Sequence, residues 1–220
     1  MSKKVAVLLG GCGHLDGSEI RESILSLLAL DRANAEVMCM APNDAQKRVV
    51  HHGKGEVVPG ARNMIEEASR IARGKIVPLD PKTIAEYDAL VIPGGTGLAF
   101  SFFDYATSGR DCSIRSDVQE AILNMVKAKK PIAAICISPM IVARALKDSG
   151  ISVTLGSTPN VKEDMMAWGS KFQECQVDDC VVDVAHKIVT TPAYMYGDAH
   201  IRDAATGIEK CINSLMKLTL

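Results

Sequence analysis

The 220-residue chain predicts an α/β fold, one doubly wound and mostly parallel sheet with helices on both faces. Three observations carry this. Short, largely apolar runs recur at Lys4–Leu9, Glu36–Met40, Ala89–Pro93 and Pro131–Cys136, the form taken by strands buried on both sides. Segments of helical period separate them, and strand–helix alternation implies parallel pairing through crossover helices. Gly10–Gly13, Pro93–Gly97 and Cys136 end such runs, which places them on one rim beyond the carboxyl ends of the strands, where these sheets hold ligands.

The elements follow in order. Lys4–Leu9 is the first strand, and Gly10-Gly-Cys-Gly13 a loop after it. Asp16-Gly-Ser18 offers an N-cap to an amphipathic helix over Glu19–Leu30. Glu36–Met40 is a second strand, residues 46–60 with His51-His52 read as irregular, and Asn63–Ala72 has helical period before Lys75-Ile-Val77. Ala89–Pro93 is a buried strand, and Ser101–Arg115 a long connection expected to cover a pocket or meet a second subunit. Ser116 is expected to cap a helix through Lys127, followed by the strand that ends at Cys136 and a helix from Met140. Ser152–Leu155 reads as a strand, Val161–Trp168 as a short helix, and Cys180–Val184 with Lys187–Thr191 as a hairpin turning at Ala185-His186. A last helix runs from Gly197 to Met216. No repeat or linker interrupts the chain, so residues 1–220 are expected to form a single domain.

Composition removes several function classes. A formal net charge of -1 and 4% aromatics argue against a nucleic-acid partner. No apolar run reaches membrane-spanning length. Seven cysteines without paired spacing point to reduced thiols and to no zinc site. The start, with no secretory or transit pattern, implies a cytoplasmic protein, or a mitochondrial one if a transit peptide has been removed. Gly10–Gly13 is out of phase with a dinucleotide fingerprint, and no phosphate-binding loop motif occurs, so no cofactor is expected.

Cys136 is the first candidate site residue. An apolar run stops there and helical spacing resumes a few residues on, so a buried strand delivers a thiol to a helix mouth. Unpaired N–H groups and the helix dipole at that place favour the thiolate. The alternative is a cysteine packed as a small core residue. Gly94 and Gly95 end a neighbouring strand and, with the Ile137 N–H, are candidate oxyanion donors; the alternative is a tight turn. Glu19 is the candidate acid. Pointing inward it would be held protonated and hydrogen-bond the sulfur; pointing outward it only stabilises a helix start. His14 sits near the rim, His186 and His200 read as structural or solvated, and adjacent positions argue against His51-His52 as a metal site.

Gly-Ser-Glu19, Tyr87-Asp-Ala-Leu-Val-Ile-Pro-Gly-Gly95, Ala-Ile-Cys136 and Lys-Ile-Val-Thr-Thr-Pro-Ala-Tyr194 together resemble the PfpI/ThiJ superfamily. Gly10–Ile20 and Thr190–Tyr194 are similar to its ElbB-like, isoprenoid-biosynthesis-associated branch. The resemblance spans nearly the whole chain and implies a flavodoxin-like, class I glutamine amidotransferase-like domain, a homodimer, and a Cys/Glu pair at Cys136 and Glu19. Two departures bear on chemistry. The elbow lacks the G-x-C-x-G of amidotransferases, and Ile137 stands where many PfpI-type hydrolases carry histidine. A thiol without an imidazole lacks the usual base for amide hydrolysis and suits addition to a small aldehyde. The leading expectation is therefore a cofactor-independent glyoxalase that converts glyoxal or methylglyoxal to the hydroxy acid, with no metal. The alternatives are a non-catalytic sensor oxidised at Cys136 and an amidotransferase-like partner protein in isoprenoid-related metabolism.

Overall fold

The computed structural model describes residues 2–157 and 159–220. Strand β1 (Lys4–Leu8) leads to helix α1 (Ile20–Arg32), β2 (Glu36–Ala41), β3 (Val50–His51), β4 (Glu56–Val57), α2 (Met64–Ile71), β5 (Ile76–Pro78) and β6 (Ala89–Ile92). Short helices α3 (Leu98–Ser101) and α4 (Tyr105–Ser108) precede α5 (Ser116–Lys127), β7 (Ile132–Ile135), α6 (Ser138–Ala145) and β8 (Ser152–Val153). The chain closes with α7 (Pro159–Ala167), β9 (Lys171–Phe172), β10 (Val181–Asp183), β11 (Ile188–Thr191) and α8 (Ile201–Lys217).

The central sheet has the order β10-β11-β7-β6-β1-β2-β5. Its strands are parallel except β10, which returns antiparallel to β11 with Val182 opposite Val189. From β1 the chain winds outward to β2 and β5, then crosses to β6 and winds the other way. The order therefore reverses between β1 and β6, and the loops after those strands flank the crevice that such a reversal opens.

Period-two alternation splits the core into two layers. Ala6, Leu8, Leu90, Ile92, Ile132 and Ala134 pack with α5 and α6 through Val118, Ile122, Met140 and Ile141. Val5, Val7, Val91, Ala133 and Val189 face α1 and α8 through Ala29, Leu30, Ile208 and Ile212. The doubly wound architecture read from the sequence is the one observed.

Four local readings are corrected. Residues 46–60 contain the β3–β4 hairpin. The 101–115 connection is folded into α4 and a 3-10 turn at Gly109–Asp111. The strand expected at Ser152 is present over Ser152-Val153 and pairs with β9 in a separate two-stranded sheet, the Ser152 and Thr154 N–H groups donating to the Asp183 and Thr190 side chains. Arg115 rather than Ser116 is the N-cap of α5, and Glu19 rather than a residue of 16–18 is that of α1. Asp16 and Ser18 are instead buried as acceptors for the Val50 and Gly10 N–H groups.

Candidate active site

The site is built from three strand ends. After β7 the backbone turns sharply at Cys136, whose φ of 60° lies in the left-handed region that a side chain enters at a cost of about 1–3 kcal/mol. Its N–H donates to the Thr191 carbonyl at 3.0 Å, which ties the bend to β11. Ser138 Oγ donates to the Pro93 carbonyl at 2.7 Å and ties the start of α6 to the loop after β6. The sulfur thus sits on an over-determined elbow between strand and helix. Cys136 is 7% exposed.

Gly94 faces it. A Cβ there would lie 2.5 Å from Cys136 Cβ and 2.7 Å from Glu22 Oε2, so only glycine lets the three residues converge. The Gly94 N–H donates to Glu22 Oε2 at 2.8 Å. That assigns the Gly94 donor to a carboxyl and corrects its reading as an oxyanion donor. The Gly95 and Ile137 N–H groups face the sulfur.

The carboxyl that converges on Cys136 is that of Glu22, the two meeting where Gly94 leaves room, and its charge acts on the thiol. Glu19, expected in that place, caps α1, its Oε2 accepting from the Glu22 N–H at 2.6 Å. The Glu19 N–H in turn donates to the Gly94 carbonyl at 2.8 Å. One helical turn separates the two acids, and the later start of α1 rotates Glu22 rather than Glu19 under the sulfur. The helix carried a signal. It buries Glu22, Ser23 and Ser26 and exposes Ile20, Ile24 and Leu28, so its polar stripe faces inward. An acid on the buried side of such an inverted helix marks the site.

Electrostatics follow from burial. The fully buried Glu22 carboxyl is pushed up to about 8, first by desolvation and then by the Glu19 charge. Hydrogen bonds from Cys136 and from the Gly94 and Tyr194 backbones oppose the rise. Burial also raises the Cys136 thiol well above its ordinary value, the Glu22 charge and hydrogen bond add to this, and the Gly95 and Ile137 N–H groups work against it. The resting pair is a neutral thiol beside a neutral acid, where the sequence led us to expect a thiolate. Desolvation outweighs the helix mouth.

A cavity of about 440 Å³ opens above the sulfur, walled by Cys136, Glu19, Gly95, His14, Arg21 and Tyr194. Arg21 lies over the Tyr194 ring, 5.6 Å from its centroid, and donates to its hydroxyl at 3.4 Å. His14 meets His52 edge-on with centroids 5.3 Å apart, and His52 Nε2 accepts from the Leu15 N–H at 3.3 Å. His186 pairs with the buried Asp183 at 2.8 Å, and His200 precedes α8 as its N-cap. Arg21 and Tyr194 escaped the sequence reading because no local pattern aims an exposed side chain at a remote loop.

Comparison with known proteins agrees with this architecture. The model of the DJ-1/PfpI family matches residues 3–198. The human glutamine amidotransferase-like class 1 domain-containing protein 3, mitochondrial, is 36% identical, with 98% of this chain and 83% of the relative covered. The rat ES1 protein homolog, mitochondrial, is 37% identical over 98% and 84%. The crystal structure of an isoprenoid biosynthesis protein with amidotransferase-like domain from Ehrlichia chaffeensis superposes with a TM-score of 0.92, at 38% identity and 99% coverage of both chains. Drosophila melanogaster DJ-1beta shares the fold at 20% identity, with a TM-score of 0.57 and coverage of 99% and 96%. The chain belongs to the DJ-1/PfpI family.

Proposed function

We propose that the protein is a cofactor-independent glyoxalase that converts glyoxal or methylglyoxal to the 2-hydroxy acid, with Cys136 as nucleophile and Glu22 as acid and base. The observation that supports this most is the buried Glu22 carboxyl beneath Cys136, whose sulfur opens onto the cavity. The neutral pair first loses one proton. That proton leaves Glu22, the more acidic of the two, and the carboxylate then takes the thiol proton, which sets a thiolate beside a protonated acid. The thiolate then adds to the aldehyde carbon while Glu22 gives its proton to the carbonyl oxygen, forming a hemithioacetal. Glu22, now a carboxylate, takes the proton from that carbon and returns it to the neighbouring one through an enediol. The product is a thioester, and water releases the hydroxy acid and restores the thiolate. Gly95 and Ile137 N–H groups stabilise the charge that develops beside the sulfur. Glu19 keeps the helix start in place.

The test is lactate formation from methylglyoxal without glutathione. Glu22→Gln and Cys136→Ser should each lose on the order of a hundredfold or more. Glu19→Gln, which retains an acceptor for the cap, should keep most of the activity. Wild-type turnover no faster than Cys136→Ser refutes the reading. An acid rather than an imidazole at the sulfur also favours it over glutamine hydrolysis.

The exposed stripe Ile20, Ile24 and Leu28 on α1 favours a homodimer in which two copies of α1 pack antiparallel. Light scattering of Ile24→Glu checks this, a wild-type monomer being the contrary result. The human and rat relatives carry mitochondrial names, and we favour that compartment for this chain; cell fractionation separates it from the cytoplasm.

A further inference from the structure

Away from the elbow, three sulfurs gather where the loop before β10 meets α8. Cys175 and Cys180 are partly exposed and Cys211 is buried, all as free thiols. Each of the first two acts on Cys211, and Cys180 acts on Cys175, so the group shares one electrostatic neighbourhood. Residues 176–179 form a turn, closed by the Asp179 N–H donating to the Gln176 carbonyl at 3.1 Å. Such a turn brings its first and last Cα atoms within about 7 Å, and the residues on either side of it leave from that closed pair. Cys175 and Cys180 are those residues.

We propose that Cys175 and Cys180 are a dithiol that a hydroperoxide converts to an intramolecular disulfide. One thiolate attacks the peroxide oxygen, giving a sulfenic acid and releasing water or alcohol. The second sulfur displaces its hydroxyl, which leaves as water with the proton of that thiol. The thiols lose two electrons and the O–O bond gains them.

The turn is held in place before any bond forms. Tyr196 Oη donates to the Cys175 carbonyl at 2.9 Å, and Thr191 Oγ1 to the Asp179 carbonyl at 2.7 Å. The Val177 carbonyl presses on Gly207 of α8, so closely that a Cβ there would lie 2.3 Å from it. Cys175 Sγ now rests on the Gln176 carbonyl at 3.4 Å and Cys180 Sγ near Ser214 Oγ at 3.9 Å. Both contacts are weak and yield to a rotamer change. Cys211 is fully buried in α8, out of reach of peroxide. Burial and Asp179 push the Cys175 thiol up to about 11, so oxidation is slow at neutral pH. Poor leaving thiolates make the finished bond slow to reduce. The staple also reaches the candidate active site, since the Tyr196 that grips Cys175 lies two residues from Tyr194 in the cavity wall.

Trypsin places both cysteines, and no others, in the peptide Phe172–Lys187. Native protein is treated with hydrogen peroxide, its remaining thiols are alkylated, and the digest is read by mass spectrometry. The expected result is an unalkylated Phe172–Lys187 lighter by about 2 Da than the reduced peptide. That form should be lost in Cys175→Ser and Cys180→Ser and retained in Cys136→Ser, which separates this dithiol from the elbow chemistry. Both thiols still alkylating, each acquiring oxygen on its own, or Cys180 cross-linked to the Cys211 peptide overturns the proposal.

Discussion

Replacing Glu22 by glutamine turns the protonation of the buried acid into a stability measurement. Folding raises the pKa of this carboxyl from 4.5 to about 8, and unfolding returns it to the lower value. The folded chain therefore binds the proton more tightly than the unfolded one. The stability this contributes is complete below about pH 4.5, declines as pH rises, and is lost above about pH 8. One proton gives a slope of about 1.4 kcal/mol per pH unit inside that window. From about pH 5 to 8 the integral is roughly 3 kcal/mol. Glutamine keeps the shape of the protonated acid, an acceptor for the Gly94 N–H now at 2.8 Å, and a donor for the sulfur, without titrating. Urea unfolding of both proteins across this range is the assay, and Glu19 and Cys136, the groups facing Glu22, are common to both. The wild type should lose roughly 3 kcal/mol relative to Glu22→Gln between the two ends. Parallel curves would mean an ionised Glu22 in the folded protein, and the neutral resting pair would have to be abandoned.

Three further outcomes follow from the same geometry. Turnover of methylglyoxal should climb with pH as the pair loses its first proton and level off above about 8, where Glu22 titrates; a rate independent of pH between 6 and 9 would contradict this. Gly94→Ala places a methyl 2.5 Å from Cys136 Cβ and 2.8 Å from the Ile135 carbonyl, backbone that cannot yield. It should cost about 1–3 kcal/mol in chemical denaturation and abolish alkylation of Cys136 at its wild-type rate. Gly207→Ala lies inside α8, where alanine ordinarily gains about 1 kcal/mol over glycine. Contact with the Val177 carbonyl at 2.3 Å reverses the sign, and thermal melting should show a net loss.

Much of the fold was legible because its signals are local. Runs such as Ala89–Ile92 and Ile132–Ile135 have no polar residue to face water, so they read as strands covered on both sides. The elbow was legible for the same reason, since only a turn can follow a buried strand that halts at Cys136 and resumes as a helix at Ser138. The hairpin at 181–191 announced itself by two β-branched runs and a short turn. Element ends were less legible. Ser152-Val153 has strand-forming residues, yet its partner is β9, a pairing that depends on which edge remains open after the main sheet assembles.

By itself the sequence determined the doubly wound sheet, the rim on which its glycine loops meet, and the thiol at the bend. Those follow from periodicity and from backbone conformations few residues adopt. Only the tertiary structure decided which acid touches the sulfur. Glu19 and Glu22 lie three residues apart, nearly on one helix face, and a small shift in where α1 begins exchanges a cap for a buried partner. Tertiary burial also decided the charge at the site, because desolvation depends on what encloses a group and not on its neighbours in the chain.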